Sequence, residues 1–291
     1  MSAIPMDQRE GWIWYDGEFT PWKDAKLHVL THGLHYASSV FEGQRAYGGE
    51  IFKLREHTER LIKSAEYLDF KIPYSADEID AACNLVLQKN NLIDAYMRPV
   101  AWCGSEEMGI AATKNTVHFA IAAWEWPSYF TLEDRLKGIR LTWSKWKRPS
   151  PEMIPCFSKA AGLYMICTNA KHQAMKAGYT DALMLDYRGY VAEATGANVF
   201  FVKGKEIHTP IPDCFLNGIT RRTVIELAKK AGYKIIERHI MPDEIGDYDE
   251  CFLTGTAAEV TPVSEIGEIK YTPSEACKTL VDAYMKEVQP K

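Results

Sequence analysis

The chain has 291 residues, enough for one large domain or two ordinary ones. Its composition, 46% hydrophobic and 25% charged, is that of a globular protein rather than a disordered or fibrous one. The net charge of −5 argues against nucleic-acid binding and against attraction to an anionic membrane, both of which need a basic face. No apolar run is long enough to span a bilayer. The run from Met1 to Trp12 has neither a basic nor an apolar signal-like region, which favours a cytoplasmic protein. The 7 cysteines are scattered, odd in number and form no C-x-x-C pair. Reduced, buried thiols are expected, with no disulfide framework and no metal site.

In chain order, Trp12 to Trp22 reads as a hairpin turning at Asp16-Gly17. A second hairpin spans Gln44 to Phe52 and turns at Gly48-Gly49. Leu54 to Leu68 has helical spacing at Leu54, Leu61, Ala65 and Leu68. Ser75 with Glu78 is a capping-box pair that opens another helix, ending near Asn90-Asn91. Ala95 to Trp102 and Val117 to Trp124 are strand-like. Periodicity lapses over 128–137, the expected linker between a smaller domain, 1–127, and a larger one, 138–291.

In the second half, Ile139 to Trp143 reads as a strand and Ala161 to Lys176 as a helix closed by Gly178. Strands follow at Asp181 to Leu185, Tyr190 to Ala192, Asn198 to Val202 and Lys205 to Thr209. Thr220 to Lys230 is a helix closed by Gly232. The segment from Gly232 to Glu250 carries mixed charges and reads as ordinary surface. Glu250 to Leu253 is a strand running into Thr254-Gly255-Thr256. Hairpins alternating with helices imply a two-domain α+β fold. There is no G-x-G-x-x-G and no G-x-x-x-x-G-K, so a nucleotide-binding doubly wound fold is disfavoured.

Six places could carry chemistry. Lys159 sits among small and apolar neighbours, where a lysine tends toward the neutral amine that Schiff-base chemistry needs. Taken alone it reads as an ordinary lysine at a helix start. Glu193 precedes a small-residue bend and an apolar strand, a place where a carboxylate could keep a pyridine nitrogen protonated. Alone, it reads as a loop glutamate. Leu216-Asn217-Gly218-Ile219-Thr220 enters a helix and offers free N–H groups and a hydroxyl to a phosphate, or is a plain N-cap. Gly255-Thr256-Ala257-Ala258 is a second small-residue turn. Tyr96 and Arg98 alternate onto one strand face, and Arg60 could clamp a phosphate or simply pair with Glu56 one helical turn away.

Together and in this order, these residues resemble the class IV aminotransferases, the fold-type IV pyridoxal-phosphate (PLP) enzymes. The pattern is Glu193-x4-Asn198-Val199-Phe200, then Ile207-x-Thr209, then Gly218-Ile219-x-Arg221. The context of Lys159, the turn from Gly255 to Glu259, His35-Tyr36 and Val40-Phe41-Glu42-Gly43 also fit. Within the class, the branched-chain amino-acid aminotransferases are most similar. The resemblance implies a D-amino-acid-aminotransferase-like fold and a homodimer sharing its active sites.

It further implies that Lys159 carries PLP as a Schiff base and moves a proton, while Glu193 pairs with the pyridinium nitrogen and Tyr164 bonds the phenolic oxygen. Arg60, Ile219, Thr220 and Thr256 would hold the phosphate and Gly196 would lie against the ring. Asn198, Leu216, Gly218 and Gly255 would complete the cofactor site. Tyr96, with Thr256, Ala257 and Ala258, would receive the substrate α-carboxylate, and Arg98 the distal carboxylate of glutamate. Tyr36, Phe41, Gly43, Met108, Trp126 and Tyr129 would wall an apolar side-chain pocket. The implied reaction is transamination between L-leucine, L-isoleucine or L-valine and 2-oxoglutarate. Two rivals share the fold. One is a D-amino-acid or (R)-amine aminotransferase, the D-type of which resembles Arg-x-His where Arg98 and Val100 stand here. The other is an aminodeoxychorismate lyase. The loop from Cys103 to Ile110 fits the family loosely, and its adjacent Glu106 and Glu107 could alter donor choice.

Overall fold

The computed structural model describes residues 4–126 and 131–290. The chain divides into two compact units, Met1–Pro127 with Ser158–Gly162 and Pro290–Lys291, and Ser128–Phe157 with Leu163–Gln289.

The first unit is a sheet backed by helices. Its elements are β1 (Trp12–Tyr15), β2 (Glu18–Pro21), α1 (His32–Tyr36), β3 (Ser39–Phe41), β4 (Gln44–Tyr47), β5 (Glu50–Ile51), α2 (Leu54–Glu66), α3 (Ala76–Lys89), β6 (Ala95–Cys103) and β7 (Val117–Glu125). The strand order is β2-β1-β7-β6-β4-β5, with β3 pairing β6 at the other end of its edge. Both expected hairpins form. Asp16 and Gly17 have φ of 48° and 100°, Gly48 and Gly49 of 56° and 90°, the paired positive values a tight hairpin turn demands. Helix α3 starts on the Ser75–Glu78 capping box. Leu61 and Ala65 of α2 and Ile79 and Val86 of α3 pack on Met97, Ala101, Phe119 and Ile121. The odd-numbered residues of β6 therefore face the helices, and Tyr96 and Arg98 face the other way.

The second unit contains α4 (Leu132–Leu136), β8 (Ile139–Trp143), α5 (Tyr164–Lys176), β9 (Asp181–Leu185), β10 (Val191–Ala194), β11 (Asn198–Lys203), β12 (Glu206–Pro210), α6 (Ile219–Lys230), β13 (Lys234–Arg238), β14 (Glu250–Gly255), β15 (Glu259–Ile266), β16 (Ile269–Lys270) and α7 (Glu275–Glu287). Strands β10-β9-β8-β15-β14-β11 follow one another, and β10 also pairs β11, so the sheet closes into a barrel, with β12 and β13 extending it. The closing contact is a single residue pair, Glu193 with Asn198. Alternation along the strands fills one face with Leu141, Val199, Phe201, Leu253 and Val263. Phe200 stacks on Phe252 at 4.9 Å on the other face.

Several expectations change. The Gly232 to Glu250 segment is not all surface, because β13 pairs in parallel with β12, burying part of Ile235 and Ile236. Its flanking charges mask that short apolar pair. Within 128–137, residues 128–130 lie outside the described residues and α4 occupies Leu132–Leu136, opened by Thr131, whose hydroxyl accepts the Asp134 N–H at 3.1 Å. The helix expected from Ala161 begins as a 3₁₀ turn over Ala161–Leu163 and becomes α-helical at Tyr164. Ser158–Gly162 belongs with the first unit rather than with the second half of the chain. Helix α7 and strands β3, β15 and β16 had no expected counterpart.

Candidate active site

Two sets of candidate residues are described, one in each unit. In the first unit, Arg98 Nη2 donates to the Tyr96 hydroxyl at 3.4 Å, as the shared strand face predicts. The guanidinium lies 4.7 Å from the centre of the Phe41 ring. Arg98 Nε is buried and finds no acceptor among the described residues. Tyr96 packs between Trp124 and Trp126, with ring centres at 5.2 and 5.5 Å. A Cβ on Gly43 would stand 2.1 Å from the Tyr96 oxygen, so the glycine is what lets that hydroxyl approach the backbone. Arg98 also lines a cavity of about 380 Å³ whose other walls include Ile13, Tyr15, Leu27, Leu34 and Val100.

Lys159 places its ammonium nitrogen 5.1 Å from the centre of the Phe41 ring. On α2, Glu56 pairs with Lys53 at 2.9 Å, and Arg60 reaches Glu42. Its Nε and Nη2 grip both oxygens of Glu42 at 2.6 and 2.9 Å. Glu42 is fully buried and also accepts from His57 Nδ1 at 2.7 Å and the Gly43 N–H at 3.1 Å. Burial alone would raise the Glu42 carboxyl's pKa, yet Arg60 and His57 hold it well below the usual carboxylate range. Burial pushes the His57 pKa down despite Glu42, so His57 stays neutral and Arg60 is the counter-charge. The sequence motif contains Glu42 without revealing its role, and nothing in it singles out His57, although a helix with His57 and Arg60 on one buried face signals a partner.

Tyr36 and Met108 form a pair of their own, the hydroxyl donating to the Met108 carbonyl at 3.3 Å. Tyr129 lies outside the described residues. The two glutamates of the loop are engaged by residues just beyond it. Glu106 accepts the Thr116 N–H at 3.1 Å, and Glu107 pairs with Lys114 at 3.2 Å.

In the second unit, Glu193 is 8% exposed at the barrel's closing pair. Asn198 Nδ2 donates to Glu193 Oε2 and to the Leu216 carbonyl, both at 3.0 Å, and Asn198 Oδ1 accepts the Gly218 N–H at 3.2 Å. One amide thus fixes the carboxylate to the loop that enters α6. A Cβ on Gly218 would lie 2.3 Å from Asn198 Oδ1, which explains the glycine. Arg148, absent from the sequence reading, lies buried with Nε 3.4 Å from Glu193 Oε1. Burial opposes its charge, but the Glu193 carboxylate raises its pKa overall. Its Nη1 donates to Cys167 Sγ at 3.2 Å, and burial pushes that thiol up to about 11. No motif marks Arg148, because its pairing depends on the barrel.

Ile219 and Thr220, the first residues of α6, are buried, whereas Thr256 and Ala258 are half-buried and Ala257 is exposed. Gly196 sits in the turn closed by the Ala194 N–H to Ala197 carbonyl bond at 2.8 Å, and a Cβ there would meet nothing within 4 Å. Gly255 comes within 3.3 Å of the Gly196 carbonyl, measured from its virtual Cβ, so the two turns stack. The Thr254 hydroxyl, buried on the Asn198 side of β14, finds no partner among the described residues. Tyr164 is the first residue of α5 and half-buried. Open space over Gly196, an unpartnered hydroxyl beside it and the free N–H groups that open α6 fit a flat, phosphorylated ring.

Residues 39–266 match the family described as amino-transferase class IV. A probable branched-chain-amino-acid aminotransferase of Rickettsia felis is 47% identical over 267 residues, covering 91% of this chain and 90% of its own. The branched-chain-amino-acid aminotransferase of Pseudomonas aeruginosa is 46% identical over 267 residues, covering 90% and 87%. Among solved structures, the T.th. branched-chain amino acid aminotransferase with pyridoxamine 5′-phosphate superimposes with a TM-score of 0.94 at 39% identity, covering 97% of this chain and 95% of that one.

Proposed function

Since the chain belongs to the class IV aminotransferases, we propose that it is a PLP-dependent enzyme exchanging amino groups between L-branched-chain amino acids and 2-oxoglutarate. The observation that carries the substrate class is Arg98 on the wall of a mostly apolar cavity that Thr31 and Ser39 also line. One site must accept an aliphatic side chain in one half-reaction and a distal carboxylate in the other. Burying the aliphatic chain contributes roughly 1.5–3 kcal/mol, and the buried Arg98 Nε supplies a donor for the carboxylate. Val100 presents an apolar side chain to the cavity, which disfavours the D-amino-acid rival.

PLP, when bound, supplies an electron-withdrawing ring that makes the Cα proton of the attached amino acid acidic. Lys159 would hold the cofactor, and its Nζ would accept and return that proton. Glu193, oriented by Arg148 at 3.4 Å and Asn198 at 3.0 Å, would pair with the ring nitrogen of the bound cofactor. Arg60 and the opening of α6 would each offer donors to phosphate oxygens, and Tyr96 would receive the α-carboxylate. The exposed Val29, Leu34 and Ile110, at and near α1, support a homodimer, and the absence of a bilayer-spanning helix among the described residues is compatible with work in the cytoplasm.

The experiment is an absorbance spectrum of the purified protein before and after L-leucine. The expected result is a visible cofactor band that bleaches with L-leucine and returns with 2-oxoglutarate. A band that responds only to D-amino acids or (R)-amines would transfer the protein to the first rival. Turnover without any 2-oxo acid would transfer it to the lyase.

A further inference from the structure

Buried hydroxyls inside helices usually bond back to their own helix. Ser64, in the last turn of α2 and 1% exposed, does not. Its hydroxyl accepts the Lys159 N–H at 2.9 Å, across 95 positions of sequence. The Ser64 carbonyl is one of the four that a helix C-terminus leaves without an internal donor. Here the Ser158 hydroxyl donates to it at 2.8 Å. Ser158 is also 1% exposed. The two serines therefore form a reciprocal clip between α2 and the lysine segment. On its other side, the Lys159 carbonyl accepts the Phe41 N–H at 3.1 Å, and Ala160 bridges to Val40.

The circuit closes on the same helix. Glu42, next to Phe41, is gripped by His57 and Arg60 of α2, and Arg60 lies one helical turn before Ser64. The main chain of Lys159 is thus bonded at both its N–H and its C=O. Its anchor is the turn adjacent to the one that carries the phosphate-binding arginine.

We propose that Ser64 and Ser158 are positioning residues for Lys159, fixing its main chain against α2 so that its reach relative to Arg60 is set within one unit. The proposal rests on reading Lys159 as the lysine that holds the cofactor. Losing the Ser64 hydroxyl frees the Lys159 N–H, and losing the Ser158 hydroxyl frees the residue just before the lysine from α2. A displacement near 1 Å at a reacting group lowers turnover by roughly a hundredfold.

The test uses the holoenzyme of Ser64→Ala and of Ser158→Ala. Expected are a kcat lower by roughly tenfold to a hundredfold with KM for 2-oxoglutarate within about twofold, and a moved midpoint in the pH titration of the visible cofactor band. Parent kcat and midpoint in both variants overturn the role, and so does a lower melting temperature with kcat and midpoint unmoved. Should Ser64→Ala not fold, Ser158→Ala decides alone, since it leaves α2 intact. Borohydride fixation followed by peptide mass mapping separates the two ideas. Cofactor fixed at Lys159 with unchanged kcat overturns the serine role alone. Cofactor fixed at another lysine overturns the reading of Lys159 and the serine role with it.

Discussion

Replacing Glu42 with glutamine keeps the side chain's shape and removes its charge. The native carboxylate takes two bonds from Arg60, one from His57 and one from the Gly43 N–H, with no solvent exposure. A glutamine offers one oxygen and an NH₂ group, so its NH₂ faces donors that need an acceptor. Arg60, whose side chain is 17% exposed, loses the carboxylate that takes two of its bonds. Breaking one side of a buried ion pair costs about 3–5 kcal/mol. At about 2–4 °C per kcal/mol, the melting temperature falls by roughly 6–20 °C.

The penalty also carries a pH signature. Glu42 titrates below its usual range in the native protein. Its stabilisation is therefore complete above the unfolded-chain value of about 4.3 and is lost as pH falls below it. The gap between parent and Glu42→Gln is widest at neutral pH and narrows below about pH 4. Urea unfolding midpoints at pH 7 and pH 3.5 measure both effects. A loss under about 1 kcal/mol, or a gap that does not change with pH, would refute the assignment of Glu42 as the buried counter-charge.

Other outcomes follow from the same geometry. Lys159→Ala abolishes both transamination and the visible cofactor band, read in one spectrum and one coupled assay. Glu193→Gln retains cofactor, measured by bound phosphate, but slows proton transfer at Cα, measured as a lower single-turnover rate with α-deuterated L-leucine as control. Turnover at the parent rate would remove Glu193 from the ring-nitrogen role. Arg98→Leu keeps an apolar wall and deletes the donor, so KM for 2-oxoglutarate rises by roughly tenfold or more while KM for L-leucine changes little. Equal rises for both substrates would place the distal carboxylate elsewhere.

Much of this architecture was readable because local rules decide it. The two hairpins follow from Asp16-Gly17 and Gly48-Gly49, and α3 from Ser75 and Glu78, all short-range patterns. The pairing of Tyr96 with Arg98 needs only strand alternation. What stayed hidden depends on distant partners. Arg148 becomes meaningful only when β9 and β10 bring Glu193 beside it, 45 positions later in the chain. Ser64 looks like any helix serine until Lys159 arrives. Strand β13 was missed because charges interrupt its alternation and its neighbour β12 supplies the order. Helix α7 lies beyond the last residue that resembled the family.

The closing pair of the barrel has a consequence for how the motif itself should be interpreted. Glu193 and Asn198 are opposite one another across a turn whose length is fixed by the ring they complete. One inserted residue between them would slide the register of β11 and carry the Asn198 amide through the sheet. Gly218 would then lose the acceptor of its N–H, and the entry to α6 would come adrift. The five-position interval is thus a property of the hairpin that closes the barrel. A descendant of this chain that had lost its chemistry would keep the interval as long as it kept the barrel. In such lineages the spacing diagnoses architecture, and activity has to be judged from which side chains occupy positions 159 and 193.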